Sequence, residues 1–478
     1  MARALVWFRR DLRVHDQTAL HHAARDCADG VVAAWAITPA AWRAHDDAPA
    51  KIDLWLRCLK DLSTDLAARN IALVVLRADG DEDLAAQLLD LAQRARCEAL
   101  YFNEEYEFDE RRRDDLVARR FREKGLAVRA HHDRVLVAPD ALRTTTGGPY
   151  TVFTPFRRAW TARLDASPPV VLSPPAALRP VEGVSASAIP DAVEGFASPL
   201  APSLWPSGEA HARARLDRFI ADRLERYDSA RDLPAVDGTS ALSPYLTAGA
   251  LSPRQCLDAA RRANRGALSE GSPGALTWIS ELAWRDFYQQ VMFHHPRVCK
   301  YRAFKRETEA VAWRDAPGEL ARWCAGETGF PLVDAAMKQL AATGWMHNRL
   351  RMLAAMFLTK DLLVDWRHGE RFFMRHLVDG DLGANNGGWQ WSASTGTDAQ
   401  PWFRVFNPWT QSARFDPEAA FVKRWIPALK PLSPKAIHAM NALPEAQRRA
   451  LGYPAPMVDH AAARLRALAA FEALGAPH

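Results

Sequence analysis

The sequence predicts two domains: an α/β domain with a parallel sheet, followed by an all-α domain. The chain has 478 residues, too many for one ordinary core. Short apolar runs alternate with helical patterns up to about residue 140. From about residue 207 onward the patterns are helical almost to the end. We therefore place the domains at 1–135 and 207–478, with a connector at 136–206.

Five apolar runs in the first domain predict buried strands: "ALVWF" (4–8), "GVVAAWAI" (30–37), "IALVVL" (71–76), "ALYFN" (99–103) and "LAVRAH" (126–131). The segments 51–70 and 81–97, which lie between runs, have helical patterns. Strands that alternate with helices favour a parallel, five-stranded, Rossmann-like sheet with helices on both faces. The sequence has no GxGxxG after the first strand and no GxxxxGK[ST], so neither usual nucleotide motif is supported.

The elements beyond the first domain are predicted from the positions of Pro and Gly and from local composition. Residues 165–206 are rich in Pro, Ser and Ala without a period, which is typical of a connector draped over a surface. Pro331 suits the first turn of a helix and Gly344 suits its C-terminal cap. Residues 346–366 predict one long helix, whereas 385–398, "NNGGWQWSASTGTD", has the composition of a loop. Its two Trp rings either fill a core from that loop or line a site.

The bulk composition narrows the function classes. The net charge of +5 fits either a bland solvated surface or a localised phosphate-binding face. Six Cys without a CxxC pair argue against a disulfide framework and against a zinc site. The N-terminus does not have the pattern of a signal peptide, and no apolar run reaches 18 residues. We expect a cytoplasmic protein that neither spans a membrane nor binds a metal.

Two segments of the second domain combine polar and aromatic side chains. Thr239, Ser240 and Ser243 bring hydroxyl and backbone N–H groups together near a helix start, as in a phosphate cradle, although plain helix caps would look the same. In "TWISELAWRDFYQQ" (277–290), residues at helical spacing place an acid and indoles on one face. That face is either a cavity wall or an ion pair beside core aromatics.

Two further segments carry charges. Asn348, Arg351 and Met352 share a helix face that suits a cavity wall, the alternative being a helix edge. Basic residues exceed acidic ones over 344–376, which fits a phosphate-facing patch. Asp379 and Asp381 lie two apart without further ligands at metal spacing, so hydrogen bonds from a heterocycle and a ribose suit them better.

Together these segments resemble one family. "LVWFRRDLRVHDQTAL" near the N-terminus, "WMHNRLRM" (345–352) and "DGDLGANNGGWQWSASTGTDAQP" (379–401) are similar to the photolyase/cryptochrome flavoproteins, and among them to the bacterial class I cyclobutane pyrimidine dimer (CPD) DNA photolyases. The resemblance covers nearly the whole chain. It implies a carbon–carbon lyase that repairs dimers in DNA, in which an electron from light-excited, reduced FAD splits the dimer and then returns. It also implies an antenna-binding first domain and a second domain that binds FAD and DNA.

The resemblance assigns a set of residues to FAD: Tyr227, Thr239, Ser240, Ala241, Leu242, Ser243, Trp278, Arg351, Asp379, Gly380, Asp381 and Asn385. Arg351 would pair with Asp379. The Asn385 amide would face flavin N5 and could accept the N5–H hydrogen bond of the reduced ring. Ala241 departs from the family pattern, since many relatives have Arg there. Backbone and hydroxyl donors remain, so we expect FAD binding to survive.

The resemblance also assigns the lesion, the DNA backbone and an electron relay. Catalytic contacts come from Asn385 and from the residues around the dimer: Glu281, Trp284, Asn348, Met352 and Trp391. Glu281 would stabilise the radical anion of the dimer, and the two indoles would stack on it. Arg231 and Arg349, with Arg351 nearby, would hold phosphates. Trp389, Trp366 and Trp313 would pass electrons between the surface and the flavin.

The antenna residues in this resemblance are Asp109, Glu110 and Lys300. Asp109 stands where folate-binding relatives often have Asn, so methenyltetrahydrofolate is the expected antenna and a deazaflavin the runner-up. Three other functions compete: a cryptochrome-type blue-light sensor, a photolyase for pyrimidine–pyrimidone photoproducts, and an electron-transfer flavoprotein subunit. We expect a monomer whose partner is damaged DNA.

Overall fold

The computed structural model describes residues 3–475. Its sheet contains β1 (Ala4–Trp7), β2 (Val31–Ile37), β3 (Ala72–Arg77), β4 (Ala99–Asn103) and β5 (Ala127–His131). The strand order is β3-β2-β1-β4-β5, and every neighbouring pair is parallel. The predicted α/β class and all five predicted strands are confirmed, because a run of buried apolar residues is a strong local signal.

Six helices connect or follow these strands: α1 (Thr18–Asp26), α2 (Pro39–Ala44), α3 (Pro49–Ala67), α4 (Asp81–Arg94), α5 (Phe108–Glu123) and α6 (Phe153–Ala166). Side chains of α4 and α5, including Leu88 and Phe121, share a core with Leu5, Trp7 and Val32 of the sheet. In a parallel sheet the carboxyl ends of β1, β4 and β5 meet at one edge. That edge carries the polar residues discussed below.

One detail of the sheet differs from the sequence-based expectation. The run 126–131 forms β5, but Ala127, Arg129 and Ala130 are exposed. β5 pairs only with β4 and is therefore an edge strand. A strand at the edge of a sheet has a neighbouring strand on one side only and is less shielded from water. An apolar run alone therefore predicts more burial than such a strand has.

The contacts divide the chain into two compact units. The first unit comprises 1–225, 240–296 and 378–383. Besides the sheet it contains α7 (Glu209–Asp222), α9 (Ser243–Ala248), α10 (Pro253–Ala263) and α11 (Pro273–His294). Residues 167–201 contain no helix or strand, and α6 lies inside the segment 136–206 assigned to the connector.

The second unit comprises 226–239, 297–377 and 384–478. Its helices are α8 (Tyr227–Ala230), α12 (Pro317–Ala325), α13 (Pro331–Thr343), α14 (Asn348–Met356), α15 (Trp366–His376), α17 (Pro408–Phe415), α18 (Ala420–Trp425), α19 (Pro434–His438), α20 (Glu445–Ala450) and α21 (His460–Glu472). Pro331 opens α13 and Gly344 caps it with φ 68°, as predicted. The core includes Trp323, Phe373 and Trp389.

The single helix predicted for 346–366 is wrong. α14 ends at Met356, one π-helical turn follows over Phe357–Asp361, and α15 starts anew at Trp366 with Asp365 as its cap. The Asp365 carboxylate accepts the backbone N–H of Arg367. Side-chain capping therefore starts a second helix inside what reads as one continuous pattern.

The loop composition of 385–398 was also misleading. Helix α16 (Leu382–Ala393) covers most of that segment. Trp389 is buried against Trp323, at 6.0 Å between ring centroids, and against Phe373, at 5.0 Å. Tertiary packing of this ring outweighs the low helix propensity of the Gly pair before it. Separately, none of the helices described by the structure is long and apolar enough to cross a bilayer.

Candidate functional site

The segment Asp379–Gly380–Asp381 is held in place by side chains of the first unit. The Ser243 hydroxyl donates to the Asp379 carboxylate at 2.6 Å. The Lys51 ammonium, buried in the first turn of α3, donates to the Gly380 carbonyl at 2.8 Å. These contacts fix both the backbone and the first carboxylate, so the segment presents its acids in one geometry.

Asp381 is fixed by two further donors. Arg134, which follows β5, donates to its Oδ2 at 2.9 Å, and the Gln289 amide of α11 donates to its Oδ1 at 3.1 Å. Sequence reasoning found both acids but missed Lys51, Arg134 and Gln289, since these donors lie far away in the chain and follow no motif.

The turn before α9 has the backbone geometry of an anion cradle. Ala241 has φ 46°, in the left-handed region, and Leu242 follows with φ −92° and ψ −7°. Successive residues of opposite hand point their N–H groups into one concavity, which suits a phosphate. The Ser240 carbonyl oxygen has a partner of its own, since it accepts a hydrogen bond from Arg215 at 3.0 Å. The turn therefore fits a pyrophosphate without the Arg that many relatives carry.

Asn385 lies in α16 and belongs to the second unit. Its amide nitrogen donates to the Glu370 carbonyl and to the Glu370 carboxylate, both at 3.0 Å. With the amide hydrogens engaged, the amide oxygen is left as the functional group. An acceptor at this position fits the N5–H of a reduced flavin. Glu370 had not been singled out from the sequence, yet it decides which end of the amide is presented.

Helix α11 carries one indole assigned to the flavin and one assigned to the lesion. Trp278 is buried and packs on Phe219 at 5.0 Å between centroids. Trp284 is half-buried and stacks on Phe153 at 3.5 Å, with 7° between the ring planes. Glu281, one turn before Trp284, is also half-buried. As predicted, an acid and two indoles share this helix.

Helix α14 places the second group of predicted lesion contacts in the second unit. Asn348, its first residue, is exposed, and Met352 is half-buried one turn later. The Arg349 guanidinium forms an ion pair with Asp232 at 2.6 Å and donates to the Met352 sulfur at 3.8 Å. Neither Asn348 nor Met352 has a proton to transfer near neutral pH. This face can bind bases but cannot act as a general acid.

Of the remaining predicted residues of the second unit, three precede α14 in the sequence and Arg351 lies within it. The Tyr227 ring is buried, and the Arg231 guanidinium lies 5.3 Å from its centroid. Thr239 precedes the Ala241 turn. Arg351 donates to the Met346 carbonyl at 2.8 Å, which anchors its side chain along the helix start.

The three relay candidates share one apolar core. Trp389 and Trp366 are fully buried in it, and Trp313 packs on its edge. A methyl group at Gly369 would come within 2.1 Å of the Trp389 ring, so only Gly lets α15 approach this indole. Trp391, two residues after Trp389, is half-buried instead. One indole of α16 therefore fills the core, while the other is partly exposed.

The antenna candidates Asp109 and Glu110 open α5. His45 lies 3.5 Å from each of the two carboxylates. Burial, followed by repulsion from Glu107, raises the pKa of Glu110. Lys300, in the second unit, is exposed. Sequence reasoning missed His45, which no spacing or motif distinguishes.

Comparisons with known proteins identify the family to which this chain belongs. The family model described as DNA photolyase matches residues 4–176, and the model described as the FAD-binding domain of DNA photolyase matches 278–473. A deoxyribodipyrimidine photo-lyase of Salmonella typhimurium is 44% identical, with 98% of each chain covered. A class III photolyase structure from Agrobacterium tumefaciens gives a TM-score of 0.87 at 34% identity, covering 99% of this chain and 98% of that one. An archaeal photolyase structure from Sulfolobus tokodaii, which holds two FAD molecules, gives 0.80 at 28% identity, covering 98% of this chain and all of that one.

Proposed function

Because this chain belongs to the DNA photolyase family, we propose that it splits cyclobutane pyrimidine dimers in DNA in a light-driven reaction that uses reduced FAD. The observation that best supports this function is the orientation of the Asn385 amide. Glu370 accepts both hydrogen bonds of the amide nitrogen, so the amide oxygen is left to accept a hydrogen bond from a ligand. That oxygen suits a flavin held in the reduced state. The chain is then a deoxyribodipyrimidine photo-lyase that contains FAD.

The residues that hold FAD are assigned unit by unit. In the first unit the turn of Ser240, Ala241, Leu242 and Ser243 takes the pyrophosphate, Trp278 packs on the cofactor, and Asp379, Gly380 and Asp381 accept its hydrogen bonds. In the second unit the assigned residues are Tyr227, Thr239, Arg351 and Asn385. The anchored acids and the N–H concavity at Ala241 support this assignment.

Bound FAD, when reduced, supplies the electron that light promotes. The protein residues bind and orient the dimer, and they exclude water from it. Glu281 hydrogen-bonds the pyrimidine edge, while Trp284 and Trp391 stack on bases turned out of the duplex. Met352 gives a soft apolar contact, and Asn348 a polar one. No proton donor is needed to split a cyclobutane ring, which agrees with the side chains on α14.

Three further assignments complete the proposal. Arg231 and Arg349 bind DNA phosphates. Trp389, Trp366 and Trp313 carry electrons inward from the surface when the cofactor must be reduced again. Asp109, Glu110 and Lys300 bind an antenna, for which methenyltetrahydrofolate is our first choice and a deazaflavin the second; a second flavin is a third possibility in view of the archaeal relative. We propose a cytoplasmic monomer.

Illumination of the reduced enzyme with two oligonucleotides tests the function. One oligonucleotide carries a thymine dimer and the other a pyrimidine–pyrimidone photoproduct, and chromatography quantifies the restored bases. We expect repair of the dimer and no change in the second lesion, since α14 offers no general acid. Repair of only the second lesion contradicts the assignment, and repair of neither favours a cryptochrome-type sensor.

The variant Glu281→Ala tests the lesion contact within the same assay. We expect the repair yield per photon to fall more than the affinity for the dimer, because this carboxyl group acts mainly on the charged intermediate. Glu281→Gln, which retains a hydrogen-bonding end, is the matched control and should lose less. Equal losses of yield and affinity in Glu281→Ala would reduce Glu281 to a binding residue.

A further inference from the structure

Charged side chains fill the edge of the sheet where three parallel strands end. Arg10 follows β1, Glu107 and Glu110 follow β4, and Arg134 follows β5. Because the carboxyl ends of parallel strands meet at one edge, residues far apart in the sequence become neighbours there. The same edge holds Asp381, through its bond to Arg134.

These five residues form a continuous ionic chain within the first unit, and Glu105 contacts both of its guanidinium groups, those of Arg10 and Arg134. Glu110 Oε1 lies 3.9 Å from Arg10 Nη2, and the same nitrogen donates to Glu107 Oε2 at 3.0 Å. Glu107 Oε2 accepts from Arg134 Nη1 at 3.2 Å. Arg134 Nη2 then donates to Asp381 Oδ2 at 2.9 Å. A residue assigned to the antenna is thereby connected, through three side chains, to one assigned to the flavin.

The chain is shielded from water, which makes its charges interact strongly. The Glu107 side chain is 1% exposed and the Arg134 side chain 4%. Although burial raises it, the pKa of Glu107 is held down at about 2 by Arg10 and Arg134. Both guanidinium groups therefore face a fully ionised carboxylate. Salt screens such buried pairs much less than surface pairs.

We propose that Glu110 is a positioning residue for Asp381, and that the charge at the antenna edge sets the affinity for FAD through Arg10, Glu107 and Arg134. This inference rests on the proposed flavin role of Asp381. One Arg10 nitrogen is shared between Glu107 and Glu110. When the charge of Glu110 is removed, Arg10 binds Glu107 more strongly. Glu107 then attracts Arg134 less, and Arg134 is free to order Asp381 more strongly.

The direction of the effect follows from two contributions of the same sign. A better ordered Asp381 loses less freedom when FAD binds, so affinity rises. One negative charge fewer at this edge also favours the anionic pyrophosphate. An antenna chromophore that donates hydrogen bonds to Glu110 weakens the ion pair between Glu110 and Arg10 in the same way. We therefore expect antenna binding and FAD binding to strengthen each other, as linkage requires.

The test compares Glu110→Gln with Glu104→Gln. Glu104 lies close by in the sequence, is partly exposed and pairs with His132 at 3.2 Å, outside the chain of five residues. FAD release from full-length holoenzyme without antenna chromophore is followed by flavin fluorescence on dilution. We expect Glu110→Gln to bind FAD about fivefold more tightly, within the range typical of coupled sites. Glu104→Gln should match the parent protein.

Arg10→Lys provides the second arm, because Lys keeps the charge but cannot bridge two carboxylates in a fixed fork. In that background Glu110→Gln should leave FAD affinity unchanged, while thermal unfolding shows that the fold is intact. The proposal is overturned if Glu110→Gln has no effect in the parent protein, or an equal effect after Arg10→Lys. A parent protein that binds no FAD would instead overturn the proposed function.

Discussion

Trp366 shows how much the surroundings of a single side chain decide its role. It is 1% exposed and shares a core with Trp389, while Trp313 lies at the edge of that core. Indole is readily oxidised by one electron, and a ring without access to water must exchange electrons with neighbouring rings. Burial is thus compatible with a relay from Trp313 to Trp389 and incompatible with direct contact to an external reductant.

We predict that Trp366→Phe blocks photoreduction of oxidised FAD, because it removes the middle indole of the relay. Dimer repair should continue once FAD is reduced chemically, since repair does not use the relay. Absorbance of the flavin under blue light measures the first process, and chromatography of the repaired oligonucleotide the second. Trp409→Phe is the matched control, because Trp409 packs on the same core but stacks on Phe330 instead. Normal photoreduction in Trp366→Phe would remove the relay assignment.

At the scale of a secondary-structure element, the start of α14 depends on His347. The side chain is 3% exposed, and its Nδ1 accepts the backbone N–H of Arg349 at 3.2 Å. Its Nε2 has no hydrogen-bond partner within residues 3–475. Burial, together with the positive charges of Arg349, Arg351 and Arg231, lowers the pKa of His347 to about 4, although the Asp232 carboxylate opposes this effect.

Because the pKa of His347 is lowered in the folded protein, its imidazole takes up a proton at a higher pH in the unfolded chain than in the folded one. Between the ordinary value near 6.5 and about 4, stability is therefore lost as the pH falls. We predict that His347→Asn, which keeps a capping acceptor, removes this loss, which amounts to about 1.4 kcal/mol at most for each pH unit in that interval. Urea unfolding at pH 7.5 and pH 5 measures it. The exposed His368→Asn serves as control, and an unchanged pH dependence in His347→Asn contradicts the argument.

The π-helical turn after α14 contains a buried ionisable side chain. Lys360 is fully buried, and its ammonium lies 3.6 Å from the centroid of the Phe471 ring. Within the described part of the chain it has no hydrogen-bond partner. Burial, with help from Lys305, lowers its pKa to about 7. The cation–π contact offsets only part of the desolvation, since such contacts contribute about 2 kcal/mol when dry.

We predict that Lys360→Met stabilises the protein near pH 7, because an apolar side chain of similar length replaces a buried amine. The folded pKa lies below the unfolded one, so the parent protein should gain stability as pH rises from 7 toward 10 and approach the variant. Thermal unfolding at pH 7 and pH 9.5 measures the difference. Lys430→Met, on the surface, should show no such trend. A less stable Lys360→Met at pH 7 would show that the amine is stabilising.

At the scale of the whole molecule, local patterns determine most of the strands and many of the helices, whereas distant contacts determine the site. The five strands could be predicted because each is a contiguous apolar run. The bond from Lys51 to Gly380 spans 329 positions in sequence, and no local pattern announces it. The same holds for Glu370 beside Asn385, and for the ionic chain at the sheet edge. The family resemblance supplied the candidate site residues, but not the neighbours that orient them.

The net charge of +5 is small, so DNA binding must depend on where the positive charges lie. Each phosphate that a side chain neutralises contributes about −0.9 to the slope of log affinity against log salt. We predict that Arg231→Ala reduces this slope by about 1. Arg349→Ala should reduce the slope as well, although the 2.6 Å ion pair with Asp232 already compensates part of that charge. Arg262→Ala is the control, since Arg262 is exposed on α10 and paired with Asp258.

Fluorescence anisotropy of a dimer-containing oligonucleotide, titrated at several KCl concentrations, measures these slopes. The expected order is a shallower slope for Arg231→Ala and for Arg349→Ala than for the parent protein, and the parent slope for Arg262→Ala. This order separates a defined phosphate-binding face from a general attraction by net charge, because all three variants lose one positive charge each. Equal slopes in the three variants would mean that net charge alone governs binding and that Arg231 is not a phosphate contact.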